Sequence, residues 1–233
     1  MLSEYLASEE VQKALEVLKN QFPLAIWETV YVTLLSTLFA IVIGLPLGVL
    51  LVAGENKKIL RIPQGVLHVI NVIINLLRSV PFLILMIMVF PLTRLIVGTV
   101  VGTPATVVPL VIAAFPFVAR LVESSLREIN PSIIEAAQSM GASPFQIIAK
   151  VMIPESVPSL ISNGTIALTT VLGYSAMSGI IGGGGLGKIA INYGYYRYQY
   201  LIMVFAVVFL IILVQTVSYT HLRAHETGAY LVC

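Results

Sequence analysis

The residues of this chain whose types and spacing could do chemistry are concentrated first in IIGGGGLGKIA, residues 180–190. Gly182, Gly187 and Lys188 stand at the separations of a phosphate-cradling loop, in which backbone N–H groups and a lysine surround a phosphate, and Gly182, Gly184 and Gly187 also fit the dinucleotide fingerprint. Such a loop requires a hydroxyl after the lysine to hold magnesium and a strand before the first glycine. Ile189 has no hydroxyl, and a long apolar stretch precedes Gly182. Nucleotide binding is therefore not expected here. Five glycines among the six residues 182–187 would weaken a helix by about 0.5–1 kcal/mol each, so the run is expected to break a helix near Ile181. Two readings of the break stay open: a passive connection, or a flexible gate where backbone approaches a cargo closely. The gate, with Gly182, Gly184 and Gly187 as its residues, is preferred.

Two further clusters carry polar chemistry. His68, Asn71, Asn75 and Arg78 are spaced 3, 4 and 3 apart and so share one helical face. In an apolar helix such a face serves either interhelical hydrogen bonding or a solvated pathway. Packing is the simpler account, and Arg78 is the candidate for a pathway. Thr169, Thr170, Tyr174, Ser175, Met177 and Ser178 interrupt another apolar stretch. The group of Tyr174, Ser175 and Met177 could line a route for a small zwitterion, and close packing by small residues accounts for it equally well. An intramembrane enzyme would require carboxylates or histidines converging at membrane depth. The spans between Glu28 and Arg120 offer little beyond His68 and Arg78. No catalytic residue and no metal site is expected.

The elements that position these residues follow from composition. With 58% hydrophobic and 10% charged residues and a formal net charge of +2, the chain reads as a polytopic, all-α membrane protein and not as a nucleic-acid binder. Its single cysteine, Cys233, excludes a disulfide framework or a thiolate metal site. The N-terminal residues lack the pattern of a cleaved signal peptide. Val11, Leu15, Leu18 and Phe22 are spaced 4, 3 and 4 apart, which predicts an amphipathic segment over residues 1–22 lying at the membrane surface.

Apolar stretches predict five transmembrane helices, about 27–53, 66–90, 99–118, 157–181 and 201–216. Pro46 and Pro81 are expected to bend theirs, and Trp27 with Tyr193, Tyr195, Tyr196, Tyr198 and Tyr200 suits the interfacial belts. Lys57, Lys58, Arg61, Arg120, Arg127 and Lys150 fall in loops of one side, and Arg94, Lys188 and Arg197 in loops of the other. The excess of Lys and Arg in cytoplasmic loops then places the N-terminus outside, the C-terminus inside and the glycine run on the outer face.

Residues 130–158, NPSIIEAAQSMGASPFQIIAKVMIPESVP, form a connection too long to be a plain turn. Asn130 is an N-cap with Pro131 at the first helical position, and Gly141 suits the C′ position. Ser143, Pro144 and Gln146 make a capping box for a second helix, which Pro154 is expected to stop. Two short helices, about 130–153, are thereby held outside the membrane.

Glu135, Ala136, Ala137, Gly141 and Pro154 match the "EAA…G…I.LP" motif, and this segment resembles the coupling region of ABC importer permeases. RSVPF at 78–82, PFVARLVESSL at 116–126 and GYSAMSGIIGGGGLGKIAINYGY at 173–195 are similar, more narrowly, to permease subunits of bacterial methionine importers. The resemblance covers residues 24–216. It implies a type I importer fold in a bacterial inner membrane, a homodimer surrounded by lipid, two cytoplasmic ATPase subunits and an extracytoplasmic substrate-binding protein. It also implies that Glu135, Ala136, Ala137, Gly141 and Pro154 couple to the ATPase. No cofactor is then expected in this chain, since ATP and Mg would be bound by the partner. An importer of another amino acid or of a small peptide-like solute fits the spacing equally well, and a channel or scaffold working without an ATPase is the alternative from another class.

Residues 23–216 are accordingly read as the permease domain. Residues 217–233 are read as a non-native tail, because 217–227 and 230–233 resemble translated sequencing-adapter sequence, and with that tail go His221, His225 and Glu226 as metal ligands.

Overall fold

A computed structural model describes residues 9–56 and 59–230, with side chains described as far as residue 216. Every regular element among the described residues is helical. The start of the N-terminal segment (residues 1–8), Lys57, Lys58 and residues 231–233 lie outside the described residues. In chain order the helices are α1 Glu9–Asn20, α2 Phe22–Glu55, α3 Gln64–Ser79, α4 Phe82–Met88, α5 Phe90–Val97, α6 Thr103–Arg127, α7 Pro131–Ser139, α8 Pro144–Ile147, α9 Ile153–Met177, α10 Gly185–Ile189 and α11 Tyr200–Tyr230.

Three helical stretches are long and apolar enough to cross a membrane: Phe22–Glu55, Thr103–Arg127 and Pro144–Ile181. The expected span over 66–90 is not one straight helix. It is broken into Gln64–Ser79 and Phe82–Met88. The cause is Pro81, which lacks an N–H and forces the residue before it out of the α region; Val80 accordingly caps α3 with an extended φ of −79° and ψ of 128°. The last apolar stretch, Tyr200–Thr216, is shorter than the other spans, and the backbone of α11 continues helical past Thr216 to Tyr230.

Pro154 also departs from expectation. It does not stop the helix begun at Pro144. A π-helical turn, Ile148–Met152, joins α8 to α9, with the N–H of Ile153 reaching back to the Ile148 carbonyl. Pro154 then occupies the first turn of α9, where a missing N–H leaves nothing unpaired. The wide turn absorbs the proline.

The chain divides into two compact units, residues 1–36, 82–110 and 168–218 in the first and 37–81, 111–167 and 219–233 in the second. In the first, Ala14 of α1, Phe22 and Ala25 of α2, Leu186 and Ile189 of α10, and Ile202 and Ala206 of α11 form one buried cluster. The amphipathic helix thus turns Ala14 and Val11 into protein and leaves Leu15 exposed. Its outer face carries a Glu9–Lys13 ion pair of 2.9 Å; the hydrogen bond from Lys13, and then its charge, hold the Glu9 carboxyl below its ordinary value.

In the second unit Leu51, Ile74 and Ala119 form a core joined by Leu47 and Ile70. Gly44 and Gly48 let α2 lie directly on α6, since a Cβ at Gly48 would sit 2.6 Å from the Ala119 carbonyl oxygen. Without a hydrophobic gain between helices in lipid, such close backbone packing is what holds spans together.

Candidate coupling hairpin and glycine clamp

The capped pair of helices folds as its residues dictate. The Asn130 side chain accepts from the Ser132 N–H at 3.0 Å, with Pro131 opening α7. At the other end Gly141 takes φ +78°. Its N–H reaches the Gln138 carbonyl at 3.0 Å and the Ala142 N–H reaches the Ala137 carbonyl at 3.1 Å, the paired bonds of a Schellman close. The box opening α8 is complete: the Ser143 N–H donates to Gln146 Oε1 at 2.9 Å and the Gln146 N–H to Ser143 Oγ at 3.4 Å.

Anchoring by Ala137, Ile147 and Met152, all buried, orients what remains outside. Glu135, Ala136 and Gly141 are exposed. Met140 and Phe145, on either side of the Gly141 turn, are 82% and 77% exposed. The hairpin therefore offers one carboxylate, a small flat spot at Ala136 and two large apolar side chains. That combination fits a protein groove better than water. Pro154 is exposed at the start of α9, separate from the turn.

The helix α6 carries a charged network that spacing alone signals but that the sequence reading passed over. Glu123, 8% exposed, is i+3 from Arg120 and i−4 from Arg127, and pairs with both. Arg127 continues to Glu55 on α2 at 2.8 Å, and Arg120 donates to Asn75 Oδ1 on α3 at 2.9 Å. Part of the polar face of α3 is thus used to join helices. Arg78, on the same helix, is exposed. Asn163 of α9 adds bonds to Ser125 Oγ at 2.8 Å and the Leu121 carbonyl at 3.2 Å.

The glycine run is where the expected break falls. After α9 a 3₁₀ turn, Ser178–Ile181, leads to Gly182 at φ +79°. The chain crosses Gly183 and Gly184 without regular structure and enters α10 through Gly185 at φ +81°. The Gly182 carbonyl accepts from the Gly102 N–H at 3.0 Å. Glu28, on α2, closes the site: Oε1 accepts from Thr103 Oγ1 at 2.7 Å and Oε2 from the Gly185 N–H at 2.7 Å. Its neighbour Thr29 accepts from the Leu186 N–H at 2.9 Å. A Cβ at Gly184 would push aside the Thr103 hydroxyl and the Glu28 carboxylate, and no side chain fits at Gly187, where it would meet the Ala176 carbonyl.

Of the residues singled out for a path, Tyr174, Ser175, Met177, Gly182, Gly184 and Gly187 belong to the first unit and Arg78 to the second. Tyr174 stacks on Phe82 with centroids 4.6 Å apart. The Ser175 hydroxyl is buried and donates to the Leu172 carbonyl at 2.7 Å, so its polarity is turned into its own helix. Met177 is half exposed. Sequence reasoning missed Glu28 and Thr29; the available signal was a carboxylate at the head of an otherwise apolar span, a costly position that ordinarily has a purpose.

Long apolar helices with a capped, exposed hairpin between two of them define a multi-pass membrane component. Comparison with known proteins narrows the class. Residues 44–227 match the family described as binding-protein-dependent transport system inner membrane component, and the chain belongs to that family. The "Probable D-methionine transport system permease protein MetI" of Vibrio cholerae is 48% identical over 195 residues, 83% of this chain and 86% of that one. The "D-methionine transport system permease protein MetI" of Escherichia coli K12 is 46% identical over 154 residues, 66% and 70% of the two chains. A solved structure titled as an inward facing conformation of the MetNI methionine ABC transporter aligns with TM-score 0.86 and 41% identity over 94% of this chain and 98% of that one. The fold is that of a type I importer permease, an inner-membrane, non-enzymatic transport subunit.

Proposed function

We propose that this chain is the permease subunit of an ATP-driven importer of methionine, as the D or L isomer or both, working as a homodimer. The observation that carries the reading is the similarity, at 48% identity, to a protein whose name states D-methionine transport, joined to the exposed seat around Glu135, Ala136 and Gly141. Two cytoplasmic ATPase subunits would bind ATP and Mg and press on that seat, and an extracytoplasmic binding protein would deliver the cargo. The permease domain is taken as residues 23–216, with 1–22 as the amphipathic segment and 217–233 as a non-native tail.

The distribution of basic residues supports the N-out, C-in orientation. Arg61, Arg120, Arg127 and Lys150 belong to the second compact unit, and Arg94, Lys188 and Arg197 to the first. The positive-inside tendency favours the second unit as the one containing the cytoplasmic loops.

The mechanism then needs two arrangements of the bundle, one favoured by ATP binding and one by its hydrolysis. Ala137, Ile147 and Met152 are buried and the π turn Ile148–Met152 runs directly into α9, so movement at the seat would reach α9. Coexpression of the chain with the ATPase and binding-protein genes beside its own, followed by uptake of labelled methionine into proteoliposomes, tests the reading. Uptake that requires ATP and is competed by unlabelled methionine is expected. ATP-driven uptake of another amino acid in its place would retain the importer and replace the substrate.

A further inference from the structure

The glycine run invites the view that the segment after α9 swings freely. The geometry points to the opposite: Glu28 is a positioning residue that, with Thr29 and Gln21, clamps the return segment 182–193 as a fixed part of the first unit. The assignment concerns the mechanical role of this segment and rests on the transport reading only for its functional consequence.

Three observations carry it. First, the break is bonded, not loose. The first two amides of α10 have acceptors on α2, Gly185 on the Glu28 carboxylate and Leu186 on the Thr29 hydroxyl. Second, residues 21–29 hold both ends of the segment. Gln21 Nε2 donates to the Tyr193 hydroxyl at 2.8 Å, 172 residues away in sequence. Between the two ends Leu186 and Ile189 are buried against Phe22, Ala25 and Ala14. Third, the glycines are demanded by close approach. A Cβ at Gly183 would lie 2.6 Å from Thr106 Cγ2, and one at Gly179 2.6 Å from the Lys188 nitrogen. Gly185 additionally sits at positive φ. Glycine here buys proximity to α2 and α6 and gives no free hinge.

A carboxylate suits the task because it accepts on both oxygens at once, from the Thr103 hydroxyl on α6 and from the Gly185 amide. Bonds to a charged acceptor are the stronger kind. Since Gln21, Glu28, Thr103 and the return segment all fall in one compact unit, the clamp is internal to that unit. A conformational change in which that unit moves as a body would leave it intact, so opening has to occur at other contacts.

Hydrogen exchange resolved at the amides of Gly185 and Leu186, on the full chain in lipid nanodiscs, tests the clamp without any substrate. Glu28→Ala should speed exchange at Gly185 by about tenfold or more. Glu28→Gln, which keeps an acceptor, should restore it to within about threefold, and Thr29→Val should release Leu186 while sparing Gly185. Labelled-solute uptake should fall with Glu28→Ala and recover with Glu28→Gln. Unchanged exchange at Gly185 in Glu28→Ala would overturn the clamp, and so would an equal loss of protection throughout α6, which would mean a weakened fold. Released amides with undiminished uptake would overturn its role in transport. Failure of the unmodified chain to take up methionine would count against the proposed substrate and leave the exchange result standing.

Discussion

At the scale of single residues the glycines divide by what surrounds them, and this makes a sharp comparison. A Cβ at Gly187 would meet the Ala176 backbone and one at Gly184 the bonded Thr103 and Glu28 side chains, whereas a Cβ at Gly164 or Gly173, both inside α9, meets nothing within 4 Å. Gly184→Ala and Gly187→Ala should each lower stability by about 1–3 kcal/mol through overpacking. Gly173→Ala should be neutral or raise it by about 0.5–1 kcal/mol, because alanine favours the helix. Thermal unfolding of the purified chain in detergent separates the two groups. A destabilising effect of Gly173→Ala equal to that of Gly184→Ala would show that the crowding around the break is not what selects its glycines.

Glu123 belongs to the same scale. It is buried between Arg120 and Arg127, so Glu123→Ala leaves two guanidinium groups without their shared carboxylate. The expected loss is about 2–3 kcal/mol, reduced from the cost of a fully buried pair because Arg127 is 48% exposed. The same unfolding measurement reads it. Spacing made this cluster legible in principle, since Arg120, Glu123 and Arg127 lie at helical separations. Its extension to Glu55 and Asn75 was not legible, because no local rule relates residues 72 and 45 positions apart in sequence.

At the scale of elements, local chemistry predicted the helix caps and long-range packing decided where helices continue. The Asn130 cap, the Gly141 turn and the Ser143–Gln146 box appear as the residues demand. These are satisfied within a few residues, so sequence suffices. Asn130→Ala should remove one cap bond and cost about 1 kcal/mol, seen as faster amide exchange at Ser132 while α9 keeps its protection. Pro154 was misread for a reason of the same kind in reverse. A proline ends a helix only if the preceding turns stay α, and a π turn at Ile148–Met152 moves the missing N–H to a harmless position. Pro81, by contrast, acts as its type implies and breaks the helix after Ser79. The path residues were the least legible. Ser175 and Ser178 both satisfy their hydroxyls on carbonyls three residues back, which composition does not reveal.

At the scale of the whole molecule, mean hydropathy and span length led directly to a polytopic membrane protein, and the family match bears this out. The exposed hairpin is the surface on which the proposed coupling rests, because Met140 and Phe145 are exposed there while Ala137, Ile147 and Met152 are buried. Glu135 and Ala136 lie on that outer surface. Ala136→Arg adds bulk and charge at that small exposed position. It should abolish ATP-driven uptake while membrane insertion and thermal stability remain within error of the parent, and uptake at the parental rate would remove Ala136 from the interface.

The most direct measurement is short-range cross-linking from the hairpin to the coexpressed ATPase, using Ala136→Cys in a Cys233→Ser background. The account predicts one cross-linked product containing this chain and the ATPase subunit, with none when the cysteine is placed instead at Tyr196, beside the glycine segment. A product from Tyr196 and none from Ala136 would contradict both the orientation and the coupling role.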